Sequence, residues 1–365
     1  MKKILLVCVT SQNVITFRKS LIKALQGNGY SVSVIAFDRD YEEEIIALGV
    51  DFYCIEDSNR SLNPLRILTL KSRYKKLILK IAPDTVFTFM LKPNIFGVLA
   101  ARSAGVRNIF SMVEGAGDVF VNDSLKWKAI RAVVSFLYRV SFKHARRVFF
   151  LNTDDIEEFT QRKLLPKEKC ELIHGIGVDL EHFAERPVTN HRSFLMVARM
   201  IKTKGTLDYC ECARRVKKVY PDAEFNYLGG EGNITVEDIR EYIDDGSINY
   251  LGTSKDVRPF LDKCTFLVLP SFYREGCPMS IMEAESVGRG ILTTQNVGCR
   301  DTVVNGYNGF LVECHDVDSM VERCIFVIEH PDKADEMGVN SRHFAEEHFD
   351  QHLINEHIIS VLEEK

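Results

Sequence analysis

Residues 266–290 read FLVLPSFYREGCPMSIMEAESVGRG, which is an apolar strand-like run followed by a polar loop and a helical pattern. The loop contains Glu275 and the helix contains Glu283, so both carboxylates can face one ligand. The first backbone N–H groups of a helix attract anions and hydroxyl groups, and carboxylates beside them suit vicinal sugar hydroxyls. The stretch therefore predicts a ligand site at a strand–loop–helix junction. The alternative is that Glu275 caps the helix and Glu283 is only an exposed side chain.

Short apolar runs alternate with longer helical patterns along the rest of the chain. In the first half the strand-like runs are 4–9, 31–37, 85–89, 108–112 and 147–151. In the second half they are 193–198, 224–228, 248–251, 266–270, 290–294 and 309–312. Continuously apolar strands separated by helices are typical of parallel sheets that helices cover on both faces. The predicted fold class is therefore α/β, with two Rossmann-like, doubly wound domains whose strand carboxyl ends face a ligand cleft.

The domain boundaries are predicted from the segment that separates the two series of strands. This segment contains glycine and proline without a sustained period, so a linker is predicted at residues 171–190. The N-terminal domain is then 1–170 and the C-terminal domain is 191–340. Residues 341–365 are predicted as an amphipathic C-terminal helix that can cross back to the first domain.

The composition is that of an ordinary globular chain. The 365 residues are 45% hydrophobic and 27% charged, which excludes a small disulfide scaffold and a disordered or fibrous chain. The ten cysteines form no CxxC pair, so we expect reduced thiols and no cysteine metal site. No apolar run approaches the roughly 20 residues of a bilayer-spanning helix, and the first run is too short for a signal peptide. The expected location is cytoplasmic, either soluble or peripherally attached to a membrane.

The net charge of −4 conceals an asymmetry between the two halves. Residues 1–180 contain 27 Lys and Arg against 19 Asp and Glu, whereas residues 181–365 contain 20 against 32. A basic first half predicts an anionic partner, such as a membrane surface, a phosphorylated substrate or nucleic acid. Chance together with a solvated surface is the alternative.

One segment of the first half is unusually basic. Residues 125–147 contain seven Lys or Arg, no acidic residue and the only tryptophan, Trp127. This combination is typical of a helix at an anionic membrane surface, and the alternative is a core helix with a solvated basic edge. Nucleic acid is disfavoured as a partner because the aromatic residues follow no nucleic-acid-binding module and the second half is acidic.

Two strand ends in the second half contain residues that suit a diphosphate. Arg199 and Lys204 follow the strand at 193–198 and offer a planar fork and a compact charge. Gly229, in a glycine-rich turn after the next strand, would let the backbone approach the same ligand. Alone, two basic residues in a loop are most often solvated, and a glycine cluster is weak evidence.

Together these residues resemble the signature of glycosyltransferase family 4, retaining enzymes of the GT-B architecture. The matching elements are Arg199 with Lys204-Gly205, Gly229-Gly230, Glu275 with Glu283, the Gly-x-Asn-Gly run 306–309 and the linker run 175–179. Segments 92–97, 114–120, 270–278 and 298–303 are also similar to a bacterial subgroup that transfers N-acetylhexosamines to undecaprenyl-diphosphate-linked sugars. Two departures from the family pattern are Gly290, where proline is usual, and Ala116-Gly117-Asp118, where Leu-Gly-Tyr is commoner.

The resemblance implies a donor site in the second domain. Arg199 and Lys204 would neutralise the diphosphate of a nucleotide sugar, expected to be a UDP-sugar, and Glu283 would hold its ribose. Glu275 is implied as a catalytic residue that holds hydroxyls of the donor sugar. The remaining implied donor contacts are Gly229, Gly276, Cys277, Pro278, Met279 and Ser280. Fixed positive charge would stabilise the leaving diphosphate, so the resemblance implies neither a metal nor a cofactor, and retention would need no protein nucleophile.

The first domain is expected to bind the acceptor. It has no GxGxxG sequence after its first strand, which disfavours a dinucleotide-dependent dehydrogenase. Glu114, followed by Gly115, is predicted to contact the acceptor hydroxyl and to act as a second catalytic residue, and the alternative is a carboxylate that stabilises its own glycine turn. Lys92 is predicted to meet the acceptor diphosphate, and Ser11 lies in the loop expected on the acceptor side. Arg18 on the next helix either faces this ligand or is solvated.

The predicted function is that of a retaining glycosyltransferase. It would move a sugar, an N-acetylhexosamine in the similar subgroup, from a UDP-sugar to a polyprenyl-diphosphate-linked glycan in surface polysaccharide or glycoprotein assembly. The predicted partners are the UDP-sugar, the lipid-linked sugar acceptor and an anionic membrane surface, at the cytoplasmic face of the inner membrane. The alternatives are a UDP-sugar epimerase or phosphorylase of the same fold, and a non-catalytic protein that binds sugar nucleotides.

Overall fold

The computed structural model describes residues 1–56, 64–121 and 124–364. The chain forms two compact units, of which the first contains residues 1–176 together with the chain from His352 onwards. The second unit is Gly177–Gln351. Each unit contains one parallel sheet with helices, which confirms the predicted fold class.

The first unit is built on a seven-stranded sheet. Its strands are β1 (Lys2–Val7), β2 (Tyr30–Ala36), β3 (Asp51–Cys54), β4 (Thr85–Phe89), β5 (Asn108–Val113), β6 (Arg147–Phe150) and β7 (Cys170–Leu172). Their spatial order is β3-β2-β1-β4-β5-β6-β7, and every neighbouring pair is parallel. The chain moves outward from β1 to β3 and then crosses to β4 on the other side of β1. The topological switch point, where α/β sheets bind ligands, therefore lies between β1 and β4.

Helices connect these strands. They are α1 (Ser11–Phe17), α2 (Lys19–Gly27), α3 (Glu42–Ala47), α4 (Pro64–Ile81), α5 (Val98–Ser103), α6 (Asp118–Val121), α7 (Leu125–Phe142) and α8 (Thr153–Gln161). Only Arg18 separates α1 from α2, and its φ of −121° interrupts the helical path. A π-helical turn over Pro93–Gly97 precedes α5, directly after the end of β4. Irregular helix geometry of this kind is frequent at functional sites.

The second unit repeats the same plan with six parallel strands. They are β8 (Ser193–Val197), β9 (Glu224–Leu228), β10 (Asn249–Tyr250), β11 (Phe266–Leu269), β12 (Gly290–Thr294) and β13 (Gly309–Val312). The spatial order is β10-β9-β8-β11-β12-β13. The chain runs from β8 to β10 on one side and returns to β11 on the other. Its switch point therefore lies between β8 and β11, the two strands that precede the predicted donor residues.

The helices of the second unit cover both faces of this sheet's core. They are α9 (Thr206–Val219), α10 (Arg240–Asp244), α11 (Arg258–Leu261), α12 (Met279–Ser286), α13 (Val317–Glu329) and α14 (Pro331–His348). Apolar side chains of the strands and of α9, α12 and α13 form one continuous buried cluster. Because Ile281 and Ala284 of α12 belong to this cluster, its packing holds α12 against the sheet.

The C-terminal segment contains two helices rather than the single helix predicted for residues 341–365. After α14 the chain breaks at the buried Phe349, whose carbonyl accepts a hydrogen bond from the Val178 amide at 2.8 Å. A last helix, α15 (Gln351–Glu363), then belongs to the first unit from His352 onwards. There Asn355 Nδ2 donates to Ser20 Oγ at 2.7 Å, and Lys2 Nζ lies 2.9 Å from a Glu363 carboxylate oxygen. The C-terminal helix thus returns to the first unit, as expected.

Packing accounts for Gly290, which departs from the family pattern. A Cβ atom at Gly290 would lie 2.3 Å from the ring of Phe266, so this ring occupies the space of a larger residue. The preceding Arg289 is fully buried and donates to the carbonyl oxygens of Leu261 and Arg186, both at 2.8 Å. This arginine is a structural tie at the start of β12, away from the predicted donor residues.

Helix α7 combines a packed face with an exposed one. Tyr138 and Phe142 are buried, whereas the side chains of Leu125, Val133 and Phe136 are 86%, 60% and 60% exposed. Within the residues that the structure describes, no helix is long and apolar enough to span a membrane. The exposed face of α7 thus places large apolar side chains in solvent next to lysine and arginine residues.

Candidate functional site

Two loops meet at the switch point of the second unit. The loop after β8 contains Thr203, and the loop after β11 contains Phe272 and Tyr273. The amides of Phe272 and Tyr273 both donate to the Thr203 carbonyl oxygen at 2.9 Å. Because β8 and β11 are neighbouring strands, both loops leave the same edge of the sheet. These hydrogen bonds fix the two loops against each other. They thereby set the positions of the residues that both loops contain.

Lys204 and Glu275 form an ion pair across these loops. Lys204 Nζ lies 2.5 Å from Glu275 Oε1, and Ser271 Oγ donates to the same oxygen at 2.8 Å. Glu275 is 8% exposed and Ser271 is fully buried. A buried carboxylate is stable only when it is paired and hydrogen-bonded, as it is here. The structure therefore brings together two of the predicted donor residues.

Glu283 has a different environment on the second turn of α12. The residue is partly buried, and none of the described residues donates a hydrogen bond to its carboxyl group. Desolvation by burial, together with the charge of Asp256, raises its pKa to about 7. Asp256 is itself held as an anion by Arg258, which donates at 2.8 and 2.7 Å, and these bonds lower its pKa to about 2. Glu283 is thus an acceptor group without a donor near neutral pH.

Arg199 is exposed at the end of β8, and its guanidinium has no partner among the residues that the structure describes. Gly229 lies beside it, after β9. A Cβ atom at Gly229 would lie 1.8 Å from the carbonyl oxygen of Ala198, so a larger residue would displace the backbone that leads into Arg199. Gly229 therefore shapes the edge of the site through close backbone packing.

Residues 276–280 form the end of the loop and the first turn of α12. Pro278 precedes the helix, and no side chain caps it. The first amides of α12, those of Met279 and Ser280, are therefore at an uncapped helix N-terminus, which is the geometry that binds anions. Burial raises the pKa of the Cys277 thiol well above its ordinary value, so this thiol is neutral. Cys277 thus lines the loop as a small neutral side chain.

One buried carboxyl group in this region escaped prediction. Glu285 is a fully buried residue of α12, and burial raises its pKa well above the ordinary range of a carboxylic acid. Asn308 Nδ2 donates to Glu285 Oε1 at 2.7 Å and to the Thr302 carbonyl oxygen at 3.0 Å. The pair ties the turn before β13 to α12. The Gly-x-Asn-Gly run at 306–309 is the sequence signal that could have revealed it.

The first unit presents Glu114 together with Arg18. The two side chains form an ion pair, and they are 18% and 3% exposed. Arg18 is therefore buried rather than solvated, and desolvation lowers its pKa to about 10. Gly115, next to Glu114, has a φ of 120°, a conformation that favours glycine. The predicted acceptor residue thus lies at the carboxyl end of β5, paired with a buried cation.

Ser11 and Lys92, the other two side chains predicted to contact the acceptor, are less accessible than expected. Ser11 is fully buried; its amide donates to Asp38 Oδ1 at 3.1 Å, its hydroxyl also donates to Asp38, and it accepts from the Tyr41 amide at 3.1 Å. It ties α1 to the turn after β2, so the structure does not support its prediction as an acceptor contact. Lys92 is 5% exposed, and its ammonium lies 5.8 Å from the centre of the Phe37 ring.

Two protein-family models together match most of the chain. Residues 3–152 match the model described as glycosyl transferase 4-like, and residues 191–330 match the model described as glycosyl transferases group 1. The latter range contains all the donor residues predicted above.

Two curated relatives share the greater part of the sequence. The N,N'-diacetylbacillosaminyl-diphospho-undecaprenol alpha-1,3-N-acetylgalactosaminyltransferase of Campylobacter jejuni is 29% identical over 327 residues, which are 86% of each chain. The UDP-Gal:alpha-D-GlcNAc-diphosphoundecaprenol alpha-1,3-galactosyltransferase of Escherichia coli is 30% identical over 272 residues, 70% of this chain and 68% of the relative. Among solved structures, a glycosyltransferase from Rickettsia africae superposes with a TM-score of 0.80 at 17% identity, covering 99% and 98% of the two chains. This structural likeness shows the fold.

The environment of Glu283 predicts a pH-dependent stability effect. Because its pKa is about 7 in the folded protein and 4.5 ordinarily, the folded state binds the extra proton between these values. Stability contributed by this group is therefore present below pH 4.5 and is lost as the pH rises through 7. The Glu283→Gln variant should be more stable than the wild type by about 1–3 kcal/mol at pH 8 and near equal at pH 5, in urea unfolding. Glu322→Gln, at an exposed position on α13, is the control. An equal difference at both pH values would contradict the assignment.

Proposed function

The chain belongs to the glycosyltransferase family that these group 1 and 4-like models describe, and we propose that it transfers a sugar from a UDP-sugar to an undecaprenyl-diphosphate-linked glycan. The observation that carries the proposal is the Lys204–Glu275 pair at the switch point between β8 and β11, with the unpartnered Arg199 and Glu283 on the same two strand-end segments. Both curated relatives named above act on undecaprenyl-diphosphate-linked sugars, and the name of one gives UDP-Gal as its donor.

The donor would be held by groups of opposite charge. Arg199 and Lys204 would bind the diphosphate, since Arg offers a planar fork and an ammonium has three donors, one of which Glu275 already engages. The uncapped amides at the start of α12 would add to this anion site. Glu283 would accept hydrogen bonds from the ribose hydroxyls, which satisfy the acceptor oxygens that the protein leaves without donors.

Glu275 would orient the donor sugar. Lys204 and Ser271 both engage Oε1 of Glu275. A carboxylate has two acceptor oxygens with several lone-pair sites, so a sugar hydroxyl would donate to it alongside these contacts. As the bond from the anomeric carbon to the diphosphate breaks, positive charge from Arg199 and Lys204 would stabilise the departing phosphate. Retention is proposed through attack of the acceptor hydroxyl on the same face, with its proton passing to the departing phosphate oxygen. No covalent sugar–protein bond is part of this proposal.

The acceptor would be bound by the first unit, with Glu114 on the attacking hydroxyl and Lys92 near the acceptor diphosphate. The sugar is proposed to be an N-acetylhexosamine, as in the name of the Campylobacter jejuni relative, the one that covers more of the chain. The E. coli relative transfers galactose, so the donor screen below includes both.

A lipid-linked acceptor places the reaction at a membrane, and α7 is the proposed contact. A groove of about 560 Å³ runs beside this helix, and basic side chains line most of it. Its charged and aromatic lining residues are Lys128, Arg131, Phe136, Arg139 and Arg162. Exposed apolar groups flanked by cations are the features that hold a helix at an anionic lipid surface. We therefore propose peripheral attachment to the cytoplasmic face of the inner membrane.

A donor and acceptor screen tests the activity. Nucleoside diphosphate release is followed with UDP-N-acetylgalactosamine, UDP-N-acetylglucosamine, UDP-galactose and UDP-glucose, with and without short-chain polyprenyl-diphosphate sugars. We expect release only when both a UDP-hexosamine and a lipid-diphosphate sugar are present. Release that needs no lipid acceptor would overturn the proposal in favour of hydrolysis, epimerisation or phosphorolysis.

Arg199 allows the donor assignment to be tested without disturbing the fold. Arg199→Met should weaken UDP binding at least tenfold in calorimetry, since a charge-assisted contact contributes about 1.5–3 kcal/mol. Its unfolding midpoint should not change, because the side chain is exposed and unpaired. Arg240→Met, an exposed arginine on α10, is the matched control. Lys204→Ala is a less specific test, because it removes the counter-charge of the buried Glu275 carboxylate, which costs about 3–5 kcal/mol.

Membrane attachment through α7 predicts a lipid- and salt-dependent interaction. The protein should float with liposomes that contain anionic phospholipid, and binding should weaken as salt is raised. Val133→Ser with Phe136→Ser should reduce flotation severalfold, whereas Val339→Ser, at a position 47% exposed on α14, should not. Equal flotation of both variants would show that another surface holds the membrane.

A further inference from the structure

The ion pair between Arg18 and Glu114 is more deeply buried than an acceptor contact requires. The Arg18 side chain is 3% exposed, and besides Glu114 it contacts the Phe17 carbonyl oxygen, to which Nη1 donates at 3.1 Å. Its guanidinium also lies 4.2 Å from the centre of the Phe89 ring. The Nε atom of Arg18 is buried and has no hydrogen-bond partner in the structure. A buried guanidinium with an unused donor is costly, and packing alone does not explain it.

The position of the pair connects it to the ligand edge of the first sheet. Arg18 occupies the break between α1 and α2, the helices that follow β1, and Glu114 follows β5. Phe89 is the last residue of β4, and the next residue, Met90, has a φ of 69°, a strained conformation for a non-glycine residue. Buried charge and backbone strain thus coincide at the carboxyl ends of β1, β4 and β5.

The two oxygens of Glu114 have different surroundings. One oxygen faces Arg18, and the other has no partner among the described residues. The side chain is 18% exposed, so part of it is accessible to a ligand. Among the described residues, other titratable groups at the strand ends of this sheet include Cys8 after β1, Asp38 after β2, Lys92 after β4 and Asp155 on α8. Cys8 is neutral because burial raises its thiol pKa to about 12, and Asp155 accepts from the Ala116 amide at 3.0 Å.

We propose that Arg18 is a positioning residue that keeps Glu114 ionised and aims its second oxygen at the attacking hydroxyl of the acceptor. Glu114 then acts as a hydrogen-bond acceptor that orients this hydroxyl, and the proton leaves with the departing phosphate rather than with Glu114. The inference rests on the proposed transferase activity. It adds Arg18 as a residue that acts on the acceptor through Glu114. It explains why a cation is buried beneath a carboxylate that the acceptor must reach.

The pH dependence of transfer is the readout that distinguishes positioning from a structural role. At saturating donor, so that Glu283 is already occupied, kcat/KM for the acceptor is measured from pH 5 to 9 for the wild type, Arg18→Met, Arg18→Lys and the exposed control Arg102→Met. Without Arg18 the partly buried carboxylate of Glu114 loses its counter-charge, so we expect it to protonate at higher pH. We expect the acidic limb of the Arg18→Met profile to move upward by at least one pH unit, with the plateau about tenfold lower. Arg18→Lys should keep the limb at its wild-type position, because the positive charge remains, and UDP affinity should be unchanged in all variants.

Other results of these experiments would overturn the inference. A uniform loss across the pH range in Arg18→Met, or an unchanged profile, would overturn the inference while leaving the transferase assignment intact. If the wild type transfers no sugar, the proposed function fails, and a double-mutant cycle of Arg18→Met and Glu114→Gln in urea unfolding then decides the inference. Additive effects at pH 8 would show that the two groups do not interact and would overturn it, whereas strong coupling at pH 8 would support the ion pair on which it depends.

Discussion

The contact between Lys204 and Glu275 is the interaction on which the donor region depends. The two residues lie 71 positions apart in sequence, in loops that follow neighbouring strands, and their 2.5 Å contact closes one loop onto the other. Ser271 also donates to the carboxylate, and the amides of Phe272 and Tyr273 both donate to the Thr203 carbonyl oxygen. With these bonds in place the start of α12, and hence its free amides, has a defined position. The pair fixes the two loops against each other, and in the proposed donor site the remaining N–H donors of Lys204 would bind the diphosphate.

The two glutamates of this region have opposite electrostatic roles. Glu275 is buried but has a counter-charge and a hydroxyl donor, so its negative charge is satisfied within the protein. Glu283 has neither, and the nearby Asp256 opposes its ionisation. A ligand that brings hydroxyl donors would relieve this deficit, whereas one that brings only phosphate would not. The site therefore favours a ligand with an anionic part and a polyhydroxyl part, which is the chemistry of a nucleotide sugar.

Sequence reasoning located the strands well where both faces of the sheet are buried. The predicted runs 85–89, 290–294 and 309–312 coincide with β4, β12 and β13, whose residues are all or nearly all buried. Short apolar runs between turn residues are typical of strands covered on both faces. It missed β3 and β7, which are short and partly exposed edge strands without that signature.

The sequence indicated residues of the candidate site but not the side chains with which they pair. Spacing and family pattern indicated Lys204 and Glu275, yet no local pattern shows that they neutralise each other, since that depends on sheet order. The burial of Arg18 arises from a one-residue break between α1 and α2, whereas the sequence predicts a loop at Ser11 and a helix that contains Arg18. Ser11 was misjudged for a related reason, because its hydroxyl is taken by Asp38 from a loop after β2.

Proton exchange on donor binding tests the central claim most directly. Near pH 7 the Glu283 carboxyl is partly protonated, and a ribose that binds its ionised form must displace the proton. Calorimetry of UDP-N-acetylhexosamine binding at pH 7, in buffers of different ionisation enthalpy, should show release of a fraction of a proton per donor in the wild type and none in Glu283→Gln. Equal proton exchange in the two proteins would contradict the claim that Glu283 holds the nucleotide sugar.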